Sequence, residues 1–138
     1  MEPAEKDSAD LKTMLADYME NGLLDNIIDM FKHDQSLYAY IGDLITDERI
    51  RVRIGATALV ESLRKEDPEN VVRAIPHLLP LLKAEPPVIR GDAAYLLGVI
   101  GNRDVVPFLT EIINDADMNV RMITREAIED IAADPTLP

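Results

Sequence analysis

The chain has 138 residues, 47% of them apolar, with two Phe, four Tyr, no Trp and no Cys, and a formal charge of −12. That length fits one domain with a continuous core, and so few aromatics point to helices packed through Leu, Ile, Val and Ala rather than to a β-sandwich. The charge falls unevenly, with 12 acidic and 3 basic side chains in residues 1–48 against 14 and 11 in residues 49–138, so the chain lacks the basic footprint that binding duplex nucleic acid requires.

In chain order, residues 1–7 read as a frayed acidic tail, without the basic and apolar regions of a secretory signal. Ser8 or Asp10 is expected to cap a helix over Ala9–Glu20, with Leu11, Met14, Leu15 and Tyr18 on one stripe. Asn21-Gly22 is a helix stop. A second helix over about Leu23–His33 turns Leu24, Ile27, Ile28 and Phe31 inward, and Ser36 is expected to cap a third over Leu37–Ile45. A helix over Glu48–Lys65 follows. The next, over Pro68–Lys83, holds Pro76 and Pro80 and is expected to be kinked. Pro86-Pro87 separates it from Val88–Ile100, where Gly101 is placed for a C-terminal cap. Asp104 is expected to cap Val105–Asn114, and Asp115-Ala116-Asp117 turns the chain into Met118–Ala133, which Asp134-Pro135 ends. No run of about 18 apolar residues crosses a membrane. The absence of cysteine removes disulfides and thiolate metal sites and accords with a cytoplasmic protein.

One pattern recurs. IPHLLPLLKAEPPVIRGDAAYLLGVIG, from Ile75, aligns with VPFLTEIINDADMNVRMITREAIEDI, from Val106, when Arg90 is set on Arg121, 31 residues on. A further copy aligns when Arg53 is set on Arg90, 37 residues on. A period in this range is the mark of a solenoid. The single domain 1–138 then divides into a degenerate N-terminal helix pair (8–35), repeat 1 (36–66), repeat 2 (67–102) and repeat 3 (103–134). Each repeat has two helices, an acidic turn, a Val-Arg or near equivalent, and a small residue three positions on. The residues are Asp47 with Val52-Arg53 and Ala56, Glu85 with Ile89-Arg90 and Ala93, and Asp115 with Val120-Arg121, where Thr124 replaces the alanine. This resembles the HEAT repeat, in particular the short HEAT-like form of phycobilisome lyase subunits. The resemblance implies an all-α, right-handed α-α superhelix.

Counting from each arginine as zero, positions −1, +3, +6 and +10 share one apolar side. They are Val52, Ala56, Leu59 and Leu63; Ile89, Ala93, Leu96 and Ile100; and Val120, Thr124, Ala127 and Ile131. The opposite side gives a candidate partner-binding set of Ile54, Thr57 and Glu61; Gly91, Ala94, Tyr95 and Gly98; and Met122, Arg125 and Glu129. The resemblance implies that second helices line the concave side, so this set is read as a shallow trough for a partner helix or peptide, anchored on Tyr95. Arg53, Arg90 and Arg121 read as structural, each paired with Asp47, Glu85 or Asp115 rather than forming an anion-binding row.

His33 and His77 do not fit the repeated His-Glu pairs of di-iron HEAT-like enzymes, and no metal or cofactor is expected. Asp115, Asp117, Asn119 and Glu126 have the spacing of an EF-hand calcium loop, but Val120 stands where that loop needs Gly. No Gly-rich phosphate loop or nucleophile set is present. The expectation is therefore a non-enzymatic interaction or scaffold module for another protein, with neither nucleic acid nor membrane as partner. Its last repeat is open to homodimerisation. The alternative is an accessory subunit of a lyase or other modification enzyme.

Overall fold

The computed structural model of the chain describes residues 3–136, and their side chains from residue 9 onward. The described residues are helical, with no strand among them.

The first helix, α1, spans Pro3–Glu20. Residues 1 and 2 of the expected tail lie outside the described residues; the rest of that stretch is helical, so Ser8 and Asp10 stand inside α1 rather than at its start. Pro at the start suits a first turn whose N–H groups have no partner. Gly22 ends the helix at φ 77°, a backbone conformation that a side chain strains. Leu23 N–H donates to Tyr18 O (2.9 Å) and Gly22 N–H to Met19 O (3.1 Å), the paired closure of a Schellman motif.

Helix α2 (Leu24–His33) buries Ile27, Ile28 and Phe31. Phe31 meets Tyr38 edge-on with ring centroids 5.1 Å apart. Tyr38 is fully buried. Its hydroxyl donates to Asp67 Oδ2 at 2.9 Å, which ties the Gln35–Tyr40 segment to the turn that follows Glu66. Burial, and then the bond to Asp67, push this phenol well above the usual tyrosine range.

Repeat 1 opens with a 3₁₀ turn over Gln35–Tyr40 running into α3 (Ile41–Ile45). Its cap is Asp34, not Ser36: Asp34 Oδ1 accepts the Ser36 N–H (3.1 Å) and hydroxyl (2.6 Å). Helix α4 (Ile50–Glu66) follows. The first arm of repeat 2 is more broken than a kink. It alternates α5 (Pro68–Val71), a 3₁₀ turn (Val72–Ala74), α6 (Ile75–Leu78) and a second 3₁₀ stretch (Leu79–Lys83). Pro76 and Pro80 lack the N–H groups that would continue one α-helical ladder.

Helix α7 spans Pro87–Ile100. Gly101, at φ −77°, does not use the left-handed cap expected of a glycine. It is needed for its size, since a Cβ there would run into the Leu97 carbonyl oxygen and come within 2.6 Å of Val105 Cγ2. The following 3₁₀ turn (Arg103–Val105) and α8 (Val106–Thr110) are capped by Asn102, whose side chain accepts the Asp104 N–H at 2.9 Å. Asp104, expected as the cap, is the capped residue. Helix α9 covers Met118–Ala133, with Asp117 accepting the Val120 N–H at 3.1 Å.

The core lies between the first arms (α3, α5 with α6, α8) and the second helices (α4, α7, α9). Ile41, Leu44, Leu78, Leu82 and Leu109 meet Val52, Ala56, Leu59, Leu63, Ala93, Leu96, Ala127 and Ile131, all buried. Each large aliphatic side chain so buried contributes about 1.5–3 kcal/mol. Helix α1 packs on α4 at the N-terminal end, and the repeats stack as α4 on α7 and α7 on α9.

Candidate functional site

Three arginines set the starts of the second helices. Arg53 Nη1 donates to the carbonyls of Asp47 (2.9 Å) and Glu48 (3.2 Å). Arg90 Nη1 donates to Ala84 O (2.9 Å) and Glu85 O (2.7 Å). Arg121 Nη1 donates to Asp115 O (2.7 Å) and Ala116 O (3.2 Å). The acceptors are thus backbone carbonyls six and five residues back, not the expected carboxylates of Asp47, Glu85 and Asp115. A guanidinium one turn into a helix reaches the carbonyls that the turn leaves free.

The carboxylates are used differently. Asp47 takes its neighbour Arg49 (Nε, 3.1 Å), whose Nη1 also meets Asp17 on α1 at 3.0 Å. Asp115 reaches back to the preceding repeat, where Arg90 Nε and Nη2 hold both its oxygens at 2.9 Å. Those two side chains are only 16% and 10% exposed. The hydrogen bond from Arg90 holds the Asp115 carboxyl below the usual carboxylate range, and that from Arg49 does the same for Asp47. With Asp115 on Arg90 and Asp117 capping α9, the calcium-like spacing is consumed by structure. No group of three or more His, Cys, Asp or Glu among the described residues could hold a metal ion.

The expected trough is divided by the stacking of the repeats. Gly91 and Ala94 are buried. A Cβ on Gly98 would lie 2.7 Å from Ala127 Cβ, and one on Gly91 would lie 3.3 Å from Ile123 Cδ1. Gly91 and Gly98 thus belong to the seat on which α9 rests, with Ala94 buried between them. Small residues there let the two helices approach closely. In α9 the corresponding residues are Met122, Arg125 and Glu129, all exposed. Charged side chains replace Ala94 and Gly98, so α9 lacks the small-residue seat that α7 gives it.

Tyr95 is 42% exposed. Its hydroxyl donates to Glu61 Oε2 at 2.8 Å, bridging α7 to α4, and that bond raises its pKa. Thr57 is half-buried and bonds back to Arg53 O at 3.3 Å.

What stays open is an apolar band over the first turns of the second helices. Ile50 and Ile54 on α4, Val88 on α7, and Met118 and Met122 on α9 are each 53–64% exposed. In this band Ile50 and Met118 share one repeat position, as do Ile54 and Met122; Val88 stands one residue beyond the first of these, which on α7 is Pro87. Between α7 and α9 it descends into a groove of about 440 Å³ lined by Pro87, Val88, Gly91, Asp92, Asp117, Asn119, Val120, Met122 and Ile123. Of the candidate set, Ile54, Met122 and Tyr95 are apolar or aromatic and open, and Glu61, Arg125 and Glu129 are open and charged. Ile50, Val88 and Met118 were not among the candidates. Their signal was available in the sequence, as apolar residues off the buried stripe in the first turn of every second helix.

A family model described as HEAT repeats matches residues 75–138. No curated protein and no solved structure matches the chain. The matched stretch contains the arginines Arg90 and Arg121, the seat of α9 and the groove. Residues 75–138 are thus similar to HEAT repeats, and the described residues fold as an all-α HEAT-like solenoid.

Proposed function

We propose that the chain is a protein–protein interaction module that docks a helix or extended peptide of its partner on the apolar band. The observation that carries this reading is the recurrence of bulky apolar side chains, more than half exposed, at the start of α4, α7 and α9. Isolated exposed apolar residues are ordinary, whereas their recurrence on successive stacked helices supports an interaction surface. HEAT repeats commonly mediate protein–protein interaction, in keeping with this use. No helix among the described residues is long and apolar enough to cross a membrane, and a cytoplasmic setting belongs to the same reading.

The test is affinity capture from native lysate with the wild type, the double variant Ile54→Ser/Met122→Ser, and Tyr95→Ala. A discrete protein lost with the double variant supports the band. Retention of that protein by the double variant removes the band as the site, and loss with Tyr95→Ala alone moves the site to the α4–α7 bridge. Capture of a pigment or an enzyme subunit on the same residues favours the accessory-subunit alternative, whose support is the likeness of the repeats to the lyase type. A light-scattering mass of one chain at high concentration removes homodimerisation.

A further inference from the structure

The groove between α7 and α9 pairs an apolar rim with acidic lining. Val88 and Met122 stand open at its edge, and the only charged residues lining it are Asp92 and Asp117. Asp117 is occupied with the Val120 N–H at the head of α9. Asp92 is half-buried, and its carboxylate accepts no hydrogen bond and forms no ion pair among the described residues. Arg53, across the α4–α7 seam, favours its charge without pairing with it, and burial opposes that charge. Water still reaches its oxygens, but a half-buried carboxylate with no protein donor holds its charge less well than a fully solvated one. In this groove it is a feature a cationic ligand would relieve.

Resting on the reading of the band as a docking surface, we propose that the partner is a basic amphipathic helix that seats an apolar side chain between Val88 and Met122 and gives a lysine or arginine to Asp92. Stacked helices lie about 8–10 Å apart, and a helix advances about 1.5 Å per residue. A helix laid across α4, α7 and α9 therefore meets a step of the band about every five to seven residues, and a spacing of about seven keeps its apolar residues on a single face. The lysine or arginine stands within one turn of the apolar residue over the α7–α9 step, so the recognition element is an apolar repeat with a basic neighbour at one register.

The full chain is titrated, in about 150 mM salt to screen diffuse attraction, into a labelled Leu/Lys amphipathic peptide of about 18 residues, long enough to hold a helix. A Leu/Glu peptide with the same apolar face is titrated in parallel, with anisotropy as the readout. The expected result is binding of the Leu/Lys peptide, weakened about fivefold to tenfold by Asp92→Asn and less than twofold by Glu69→Gln on the first arm of repeat 2. Thermal melts should show Asp92→Asn to be at least as stable as the wild type, so lost binding is not lost folding. Equal losses from Asp92→Asn and Glu69→Gln would reveal only general attraction to an acidic protein, and would overturn the proposal. Equal binding of the Leu/Glu peptide, still sensitive to Met122→Ser, would overturn the cationic partner while leaving the band as a docking surface. Binding of neither peptide would also overturn the partner class, and the capture experiment decides the band separately.

Discussion

At the scale of single residues, the repeat pattern is informative where it fails. Position +3 holds Ala56, Ala93 and then Thr124, and all three are buried. The Thr124 hydroxyl has no hydrogen-bond partner. An unpaired buried hydroxyl costs about 1–3 kcal/mol, whereas an apolar group of the same shape carries no such cost. Thr124→Val is therefore expected to stabilise the chain by about 1 kcal/mol, read as a higher urea midpoint at unchanged slope; a lower midpoint would show that the hydroxyl is satisfied in solution. The arginines teach a related lesson. Their position was legible in the sequence, but their acceptors were not. Carbonyls carry no residue identity, so sequence alone pairs an arginine with the nearest acid. Asp34 and Asn102 were passed over for Ser36 and Asp104, two residues on, because those are themselves good capping residue types.

At the scale of elements, the helix ends were legible where chemistry punctuates them: Asn21-Gly22 before α2, Pro86-Pro87 at the start of α7, Asp117 before α9. The use of each helix face was not. A helical wheel gives the angle of a residue from the buried stripe, but not which flank the next repeat covers. Gly91 and Gly98 thus read as part of a trough and proved to belong to the seat of α9. Gly98 offers a test in which two effects oppose each other. Alanine is favoured over glycine inside a helix by about 1 kcal/mol. Its Cβ, 2.7 Å from that of Ala127 and 2.9 Å from Ala127 Cα, would force α7 and α9 apart, and overpacking of this kind costs about 1–3 kcal/mol. Overpacking should win, so Gly98→Ala is expected to lower the urea midpoint; a rise would mean that the seam between these helices is loose.

At the scale of the whole molecule, the architecture was legible because a helical pattern repeating after 31 residues can bury its apolar stripes only by stacking one helix pair on the next. The acid–base behaviour needed coordinates. Asp47, Asp115 and Asp134 titrate below their ordinary range, through hydrogen bonds from Arg49, from Arg90 and from Thr136 respectively. A carboxyl held low in the folded chain contributes stability that is complete above its unfolded pKa of about 3.9 and is lost as pH falls through the folded value. Asp92 works in the opposite sense. Burial raises its pKa, so its charge costs stability at neutral pH, and the cost is relieved as pH falls from the raised value toward about 3.9. Chemical denaturation between pH 7 and 3 should show wild-type stability declining below about pH 4, and Asp92→Asn should remove the shallow gain above that point. An unchanged profile in the variant would mean that Asp92 is freely solvated.

The arginine pattern also has a mechanical meaning. Each guanidinium fastens a second helix to its own turn, so helix and turn move as one piece and bending is left to the seams between repeats. Arg90 reaches across one seam to Asp115; Arg53 finds Ala84 at the equivalent place and has no carboxylate to grip. The α4–α7 seam, bridged on its surface by Tyr95 and Glu61, is therefore the softer joint. A partner lying across all three second helices would act as a splint over it, and the curvature of the solenoid would be fixed by what it binds.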